Sequence, residues 1–235
     1  MAALTDTPGQ GEAQVERLPL MRRAMARQME RAVAVPCFAL RASADVAALV
    51  AERGRLGAAG APRPSVNDLV VRAVALALRA HSEVNASYGE GDEVALHPRV
   101  NVGVAVAVPG GLVVPAVYDA DRKGALAIGA EIRALADLAA RRKLGRDVLA
   151  DATFTVSNLG MYGIEDFDPV LNAPQAAILG VGAVRADGER RWLRLSLGCD
   201  HRVLTGAEGA EFLRTLVARL QDPDALFAPA AGEAA

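Results

Sequence analysis

The chain has 235 residues, of which 52% are hydrophobic and 23% are charged, which is the composition of a globular protein and not of a disordered one. Its net charge of -2 gives no electrostatic basis for binding nucleic acid or an anionic membrane. Two cysteines are too few for a disulfide framework, so a reducing cytoplasm is expected, and no apolar segment is long enough to span a bilayer.

Polar and small residues mark the two ends of the chain. Residues 1–16 are polar and lack the apolar stretch of a signal peptide, so we expect a flexible leader. Residues 228–235 contain only Ala, Pro, Gly and Glu, which predicts a flexible tail. Between them, neither a composition shift nor an internal repeat divides residues 17–227, which are predicted to form one domain.

Apolar periodicity predicts the elements of the N-terminal part. Three methionines recur at helical spacing, and Pro36 stops the helix that carries them. Ser65 and Asp68 fit a capping box in which Asp replaces Glu. In chain order the pattern predicts a helix over 21–32, a strand over 36–44, and helices over 45–53 and 66–80.

A period of two predicts a strand over residues 100–108, where valines alternate with Asn, Gly or Ala. Pro109, Gly110 and Gly111 then turn the chain into a hairpin with 112–117. Further on we expect a helix over 125–142, strands over 153–159, 176–182 and through Leu193–Leu197, and an amphipathic helix through Phe212–Leu220. Because strands and helices mix without a regular βαβ rhythm, the predicted fold class is an α/β (α+β) sandwich, a mixed sheet flanked by helices.

The most informative stretch is Asp200-His201-Arg202, followed by Gly206, between the last strand and the last long helix. Histidine at such a junction can be aimed into a cleft and can take a proton near neutral pH, so His201 is a candidate general base. The local sequence fits equally well a buried structural histidine. Asp200 caps the turn or pairs with Arg202, since strand alternation puts it on the face opposite His201.

Ser157 is the second candidate, because it ends a buried strand just before a glycine-containing turn. Its hydroxyl could donate a hydrogen bond to an oxyanion, or only cap the turn. It lacks the Gly-x-Ser-x-Gly elbow of a hydrolase. Cys199 lies near His201, but a buried strand cysteine is more often packing. His81 and His97 lack metal-ligand spacing, so no metal site is predicted.

A collinear set of motifs between residues 17 and 227 resembles the catalytic domain of the dihydrolipoamide acyltransferase (E2) family of 2-oxo acid dehydrogenase complexes. The motifs are Leu20-Met-Arg-Arg23, Pro36-Cys-Phe38, Asn67-Asp-Leu69, Glu83-Val-Asn-Ala86, Val104-Ala-Val-Ala-Val-Pro-Gly-Gly-Leu112 with Pro115, Thr153-Phe-Thr-Val-Ser-Asn-Leu-Gly160, Asn172-Ala-Pro174 with Ile178-Leu-Gly180, and Asp200-His-Arg202 with Gly206. Their number and order make the resemblance far more specific than any single motif.

The resemblance implies a chloramphenicol-acetyltransferase-like fold and a homotrimer with active sites at subunit interfaces. It implies that His201 is the general base and that Ser157 of the neighbouring subunit binds the tetrahedral oxyanion. The cosubstrate would be acetyl-CoA or another acyl-CoA, with no metal. Asp200, Arg202 and Thr205 would support the site.

Three departures from the family pattern shape the functional expectation. Thr205 stands where the family turn, Asp-His-Arg-x-x-Asp/Asn-Gly, has Asp or Asn. The chain starts with Met1, and no lipoyl or subunit-binding domain accompanies it, which suggests a complete small gene product, although a truncated piece of a longer chain would fit as well. The polar tail after Phe227 replaces an apolar anchor and predicts a discrete trimer.

With these departures, the chain resembles the stand-alone E2-like acetyltransferases of natural-product pathways, such as those acting on tetronates. The main expectation is therefore acetyl transfer from acetyl-CoA to a hydroxyl of a small-molecule acceptor. The alternative is a true E2 core that moves an acyl group between lipoamide and CoA. A third possibility, a catalytically dead scaffold, is disfavoured because Ser157 and His201 are both present.

Overall fold

A computed structural model describes residues 16–228 and residue 230. The predicted leader over 1–16 and tail over 228–235 therefore fall almost wholly outside the described residues. Within the described part of the chain, no helix is long and apolar enough to cross a membrane.

Seven helices and ten strands alternate irregularly along these residues. The helices are α1 Leu20–Val33, α2 Ala47–Ala58, α3 Val66–Ala80, α4 Ala125–Ala140, α5 Arg146–Ala150, α6 Gly206–Gln221 and α7 Pro223–Phe227. The strands are β1 Cys37–Asp45, β2 Ala86–Tyr88, β3 Val94–Leu96, β4 Val102–Val104, β5 Val106–Val108, β6 Gly111–Val113, β7 Ala116–Val117, β8 Phe154–Asn158, β9 Ala177–Asp187 and β10 Arg190–Asp200.

Six strands form the main sheet, in the order β1-β10-β9-β8-β4-β7. Strands β9, β8 and β4 run parallel, while β1, β10 and β7 pair antiparallel with their neighbours. The predicted mixed sheet is thereby confirmed. Two small two-stranded sheets, β2-β3 and β5-β6, stand outside it.

Alternation along β10 decides which face of the sheet the helices cover. Leu193, Leu195, Leu197 and Cys199 are buried on one face, where α6 packs against β1 and β10 and also against α3. Helix α6 contributes its own apolar stripe, which consists of Phe212, Leu213, Leu216 and Leu220. One core therefore holds the end of β10 in place, and with it the residues that follow.

The opposite face of the sheet is covered near β9 by the segment between β8 and β9. A Cβ atom at Gly182 would collide with the carbonyl oxygen of Glu165, so only glycine allows this close approach. The hydroxyl of Ser196 also donates a hydrogen bond to Asp168 over 2.9 Å. The segment after Ser157 is thus tied down onto the sheet.

The predicted strand over 100–108 is two strands in the structure, β4 and β5, separated at Ala105. Strand β4 is buried and pairs with β8, whereas β5 is only partly buried and pairs with β6 outside the main sheet. Both halves alternate with a period of two, so periodicity alone cannot show the break. The predicted hairpin over Pro109–Gly111 is present, and β2, β3, α5 and α7 were not predicted.

Thr205 is the N-cap of α6. Its hydroxyl accepts a hydrogen bond from the Glu208 N–H over 3.3 Å, and the Glu208 carboxylate accepts one from the Thr205 N–H over 2.7 Å. The hydrogen bond from the Thr205 backbone lowers the pKa of Glu208, and the hydrogen bond from the Thr205 hydroxyl lowers it further. The threonine therefore completes a reciprocal capping box.

Replacing Thr205 by Ala should lower the free energy of unfolding by about 1 kcal/mol, the typical contribution of an N-cap side chain. Thr205→Ser should retain most of that stability because it keeps the hydroxyl. Because the Glu208 pKa is lowered by folding, its contribution is present near neutral pH and is lost as the pH falls through the lowered value. Urea unfolding at pH 7 measures the difference, and equal stability of the Ala and Ser variants would refute the capping role.

Candidate active site

His201 lies in the turn directly after β10, with an exposed side chain. Its backbone N–H donates to the carbonyl of Pro36 over 3.0 Å, and its ring lies 4.7 Å from the ring of Phe38. No described residue hydrogen-bonds to the imidazole. The backbone is therefore fixed while both ring nitrogens stay accessible, which fits a proton acceptor better than a buried structural histidine.

Asp200 and Arg202, on either side of His201, form an ion pair. The buried Asp200 carboxylate accepts from the Arg202 side chain at 3.0 and 2.7 Å and from the Arg202 backbone N–H at 3.0 Å. The side-chain hydrogen bonds that Arg202 donates to Asp200 raise the pKa of Arg202. The pairing interpretation of Asp200 is thus what the structure shows, and the pair closes the turn that carries His201.

Ser157 is the penultimate residue of β8 and is half-buried. Its hydroxyl has no hydrogen-bond partner among residues 16–228, so it is available as a donor. The next residue fixes the turn beyond it: the Asn158 side-chain oxygen accepts from Gly160 N–H at 2.8 Å, and its amide donates to Asn67 of α3 at 3.0 Å. The alternative role of Ser157 as a turn cap is therefore filled by Asn158.

Within one chain, Ser157 and His201 lie at opposite ends of the central strands. Ser157 pairs with Gly180 of β9 in the sheet register, and Gly180 pairs with Ser196 of β10. His201 follows Ser196 by five residues, which is about 16 Å along an extended strand, and two strand spacings add about 10 Å sideways. Neither side chain can reach a reacting atom held by the other, so a site that uses both needs a second copy of the chain.

The remaining sequence candidates are engaged elsewhere. Burial raises the pKa of the Cys199 thiol to about 12, so it is not a nucleophile near neutral pH. His81 bonds Glu83 and Thr215. His97 bonds Ser87, and burial lowers its pKa.

A cavity of about 1070 Å³ lies between α1 and the segment 172–175. Methionines of α1 form its apolar side, and Ser87 and Gln175 are among the polar groups opposite. One of its lining residues, Pro174, accepts a hydrogen bond from the backbone of Tyr88 at 2.9 Å. The methionine spacing in α1 predicted a helix without showing what the helix borders.

Comparison with known proteins agrees with the motif-based resemblance. The family model for 2-oxoacid dehydrogenases acyltransferase (catalytic domain) matches residues 10–228. A mitochondrial protein of Arabidopsis thaliana, dihydrolipoyllysine-residue acetyltransferase component 3 of pyruvate dehydrogenase complex, is 41% identical over 208 residues, 82% of this chain and 38% of that protein. The chain spans less than half of the length of the similar curated relatives.

Solved structures agree as well. The cubic core of the pyruvate dehydrogenase multienzyme complex and the Azotobacter vinelandii dihydrolipoamide acetyltransferase (E2p) are each 32% identical, with TM-scores of 0.85, covering 97% of this chain and 100% of theirs. The second was studied for the role of a serine, a histidine and an asparagine in catalysis. The match to a chloramphenicol acetyltransferase that is 15% identical covers 85% of this chain and 94% of that chain, with a TM-score of 0.54. This likeness confirms the predicted fold.

The expectation of a natural-product hydroxyl acceptor is wrong. Relatives that are 37% and 41% identical are named as acetyltransferase components of pyruvate dehydrogenase complexes, which favours the alternative of an E2 core. The expectation rested in part on the departure from the family pattern at Thr205, whereas the structure shows that Thr205 caps α6. It also relied on missing carrier domains, although the chain matches only part of each longer relative.

The predicted roles of Ser157 and His201 are not tested by these comparisons and stay predictions. The family itself is established, because one family model matches nearly the whole described domain and a relative above 30% identity covers most of the chain. This chain belongs to the family of 2-oxoacid dehydrogenase acyltransferase catalytic domains, and the predicted acyltransferase class is confirmed.

Proposed function

We propose that this chain is the catalytic core of a dihydrolipoyl acetyltransferase, which moves an acetyl group between a lipoyl thiol and CoA. The observation that carries the proposal is His201, whose backbone is fixed by Pro36 while its exposed ring has no hydrogen bond to any described residue. The names of the relatives supply the substrate class.

Direct transfer needs a base and a donor to the oxyanion. His201 takes the proton from the CoA thiol as the sulfur attacks the thioester carbonyl of acetyl-dihydrolipoamide. The Ser157 hydroxyl donates to the oxygen that becomes negative in the tetrahedral intermediate. When the intermediate collapses, the carbon–sulfur bond to the lipoyl group breaks and the departing sulfur takes the proton from His201. No covalent enzyme intermediate is needed.

The register of the sheet supports a site shared between copies. Because Ser157 and His201 of one chain lie about 16 Å apart along the strands, the serine must come from a neighbouring subunit. A cyclic trimer provides three such heterologous contacts and closes on itself. The discrete trimer stays a prediction, as does the cytoplasmic location.

The Azotobacter structure was used to study an asparagine four residues after the histidine, and Thr205 occupies that spacing here. Threonine at this position caps α6 and bonds Glu208. We propose that catalysis in this chain depends on Ser157 and His201 and that Thr205 acts through the helix it begins. Asp200 and Arg202 support His201 by closing its turn.

Purified protein should transfer acetyl from acetyl-CoA to free dihydrolipoamide, the reverse of the proposed reaction. His201→Ala should lower kcat by about 10²–10⁴-fold, the usual loss when a general base is removed. His81→Gln is the control, because His81 is engaged by Glu83 and Thr215, and it should retain activity. Absence of transfer by the folded wild-type protein would reject the proposed function, and near-normal turnover by His201→Ala would remove His201 from the mechanism.

Ser157→Ala should lower kcat by about 10²-fold and leave KM nearly unchanged, because its hydrogen bond strengthens only as the oxyanion forms. Steady-state kinetics with both substrates varied separate the two constants. An increase of KM alone would instead assign Ser157 to substrate binding.

A further inference from the structure

Tyr88, at the end of β2, lies against the turn that carries His201. The Arg202 guanidinium carbon is 3.8 Å from the centre of the Tyr88 ring, well inside the range of a cation–π contact. The other two such contacts among the described residues are at 5.7 and 5.6 Å. Tyr88 thus makes the tightest contact of this kind in the described part of the chain, beside the proposed base.

We propose that Tyr88 is a positioning residue for His201 and acts through Arg202; this inference rests on the proposed acetyltransferase function. The contacts form one continuous chain. The ring holds the guanidinium, the guanidinium holds the buried Asp200 carboxylate, and that carboxylate accepts the backbone N–H of Arg202. His201 is the single residue between the two charged partners.

Arg202 needs this second support because it is long and partly exposed. Its side chain is 34% exposed, whereas Asp200 is 1% exposed. An arginine has many rotamers, and a planar guanidinium bound on its edge by Asp200 leaves its face available for stacking. The Tyr88 ring covers that face and selects the rotamer that closes the turn.

Tyr88 is itself firmly held. Its backbone N–H donates to Pro174 at 2.9 Å, and its hydroxyl donates to Asp92. Ala176, close to Pro174 in sequence, accepts the backbone N–H of Asp200 at 2.8 Å. The small β2-β3 sheet and strand β10 therefore meet at the turn that carries His201. The position of the Tyr88 ring is fixed independently of Arg202.

Three variants test the proposal. Tyr88→Leu removes the ring but keeps an apolar side chain, and Tyr88→Phe keeps the ring but removes the hydroxyl. Tyr118→Leu is the matched control, since Tyr118 also faces an arginine, Arg99, and also donates its hydroxyl to an aspartate. It follows β7, at the other edge of the sheet from β1 and β10.

Tyr88→Leu should lower kcat by about 10- to 100-fold, the cost of displacing a catalytic group by about 1 Å, with little change in KM. Tyr88→Phe and Tyr118→Leu should stay within about twofold of wild type, because both keep the stack on Arg202. Thermal unfolding of all variants is the control that checks whether each of them is folded. A normal kcat in Tyr88→Leu, or an equal loss in Tyr88→Phe, would overturn the proposal.

Two further measurements guard against a purely structural effect. Arg202→Met removes the guanidinium that the Tyr88 ring holds, so the double variant with Tyr88→Leu should be no slower than Arg202→Met alone, whereas additive losses would refute action through Arg202. The rate at which diethyl pyrocarbonate modifies His201 should differ several-fold between Tyr88→Leu and wild type, because the imidazole changes position, whereas the rate at His81 should be unchanged. Equal modification rates would also overturn the proposal. Because this readout needs no turnover, it separates failure of the positioning role from failure of the proposed function.

Discussion

The register of β8, β9 and β10 is the constraint on which the functional interpretation depends. Parallel pairing places Ser157 beside Gly180, and antiparallel pairing then places His201 five residues beyond the matching position of β10. A shift of one residue would reverse the faces of a whole strand and expose its leucines. The hydrophobic core therefore fixes the distance between the two proposed catalytic groups, and a site that uses both of them needs two subunits.

Each end of the sheet has its own means of fixing a reactive side chain. At one end, Asn158 ties the turn after Ser157 to α3, and the serine hydroxyl has no hydrogen-bond partner in the described part of the chain. At the other end, Asp200 and Arg202 close the turn around His201, and Pro36 holds its backbone. In both cases a neighbouring polar residue makes the structural bonds, so the side chain of the proposed catalytic residue stays available.

The sequence predicted the elements whose pattern is set by one dominant face. Alternation through Leu193–Leu197 and the apolar stripe of α6 located the junction of His201, since both reflect burial against a single core. The break at Ala105 was missed because pairing partners, and not periodicity, end β4. Tyr88 was missed for a similar reason: its contact with Arg202 spans distant parts of the chain, and no local motif marks it. The shared site was predicted only through the family resemblance.

Subunit complementation tests the shared site most directly. Chains carrying His201→Ala and chains carrying Ser157→Ala, with different affinity tags, would be co-expressed, and assemblies containing both would be purified and assayed. In any cyclic trimer that contains both chains, one of the three interfaces pairs an intact histidine with an intact serine from the neighbour, so activity should return to about one third of wild type. Mixed assemblies as inactive as either parent would contradict a site built from two subunits.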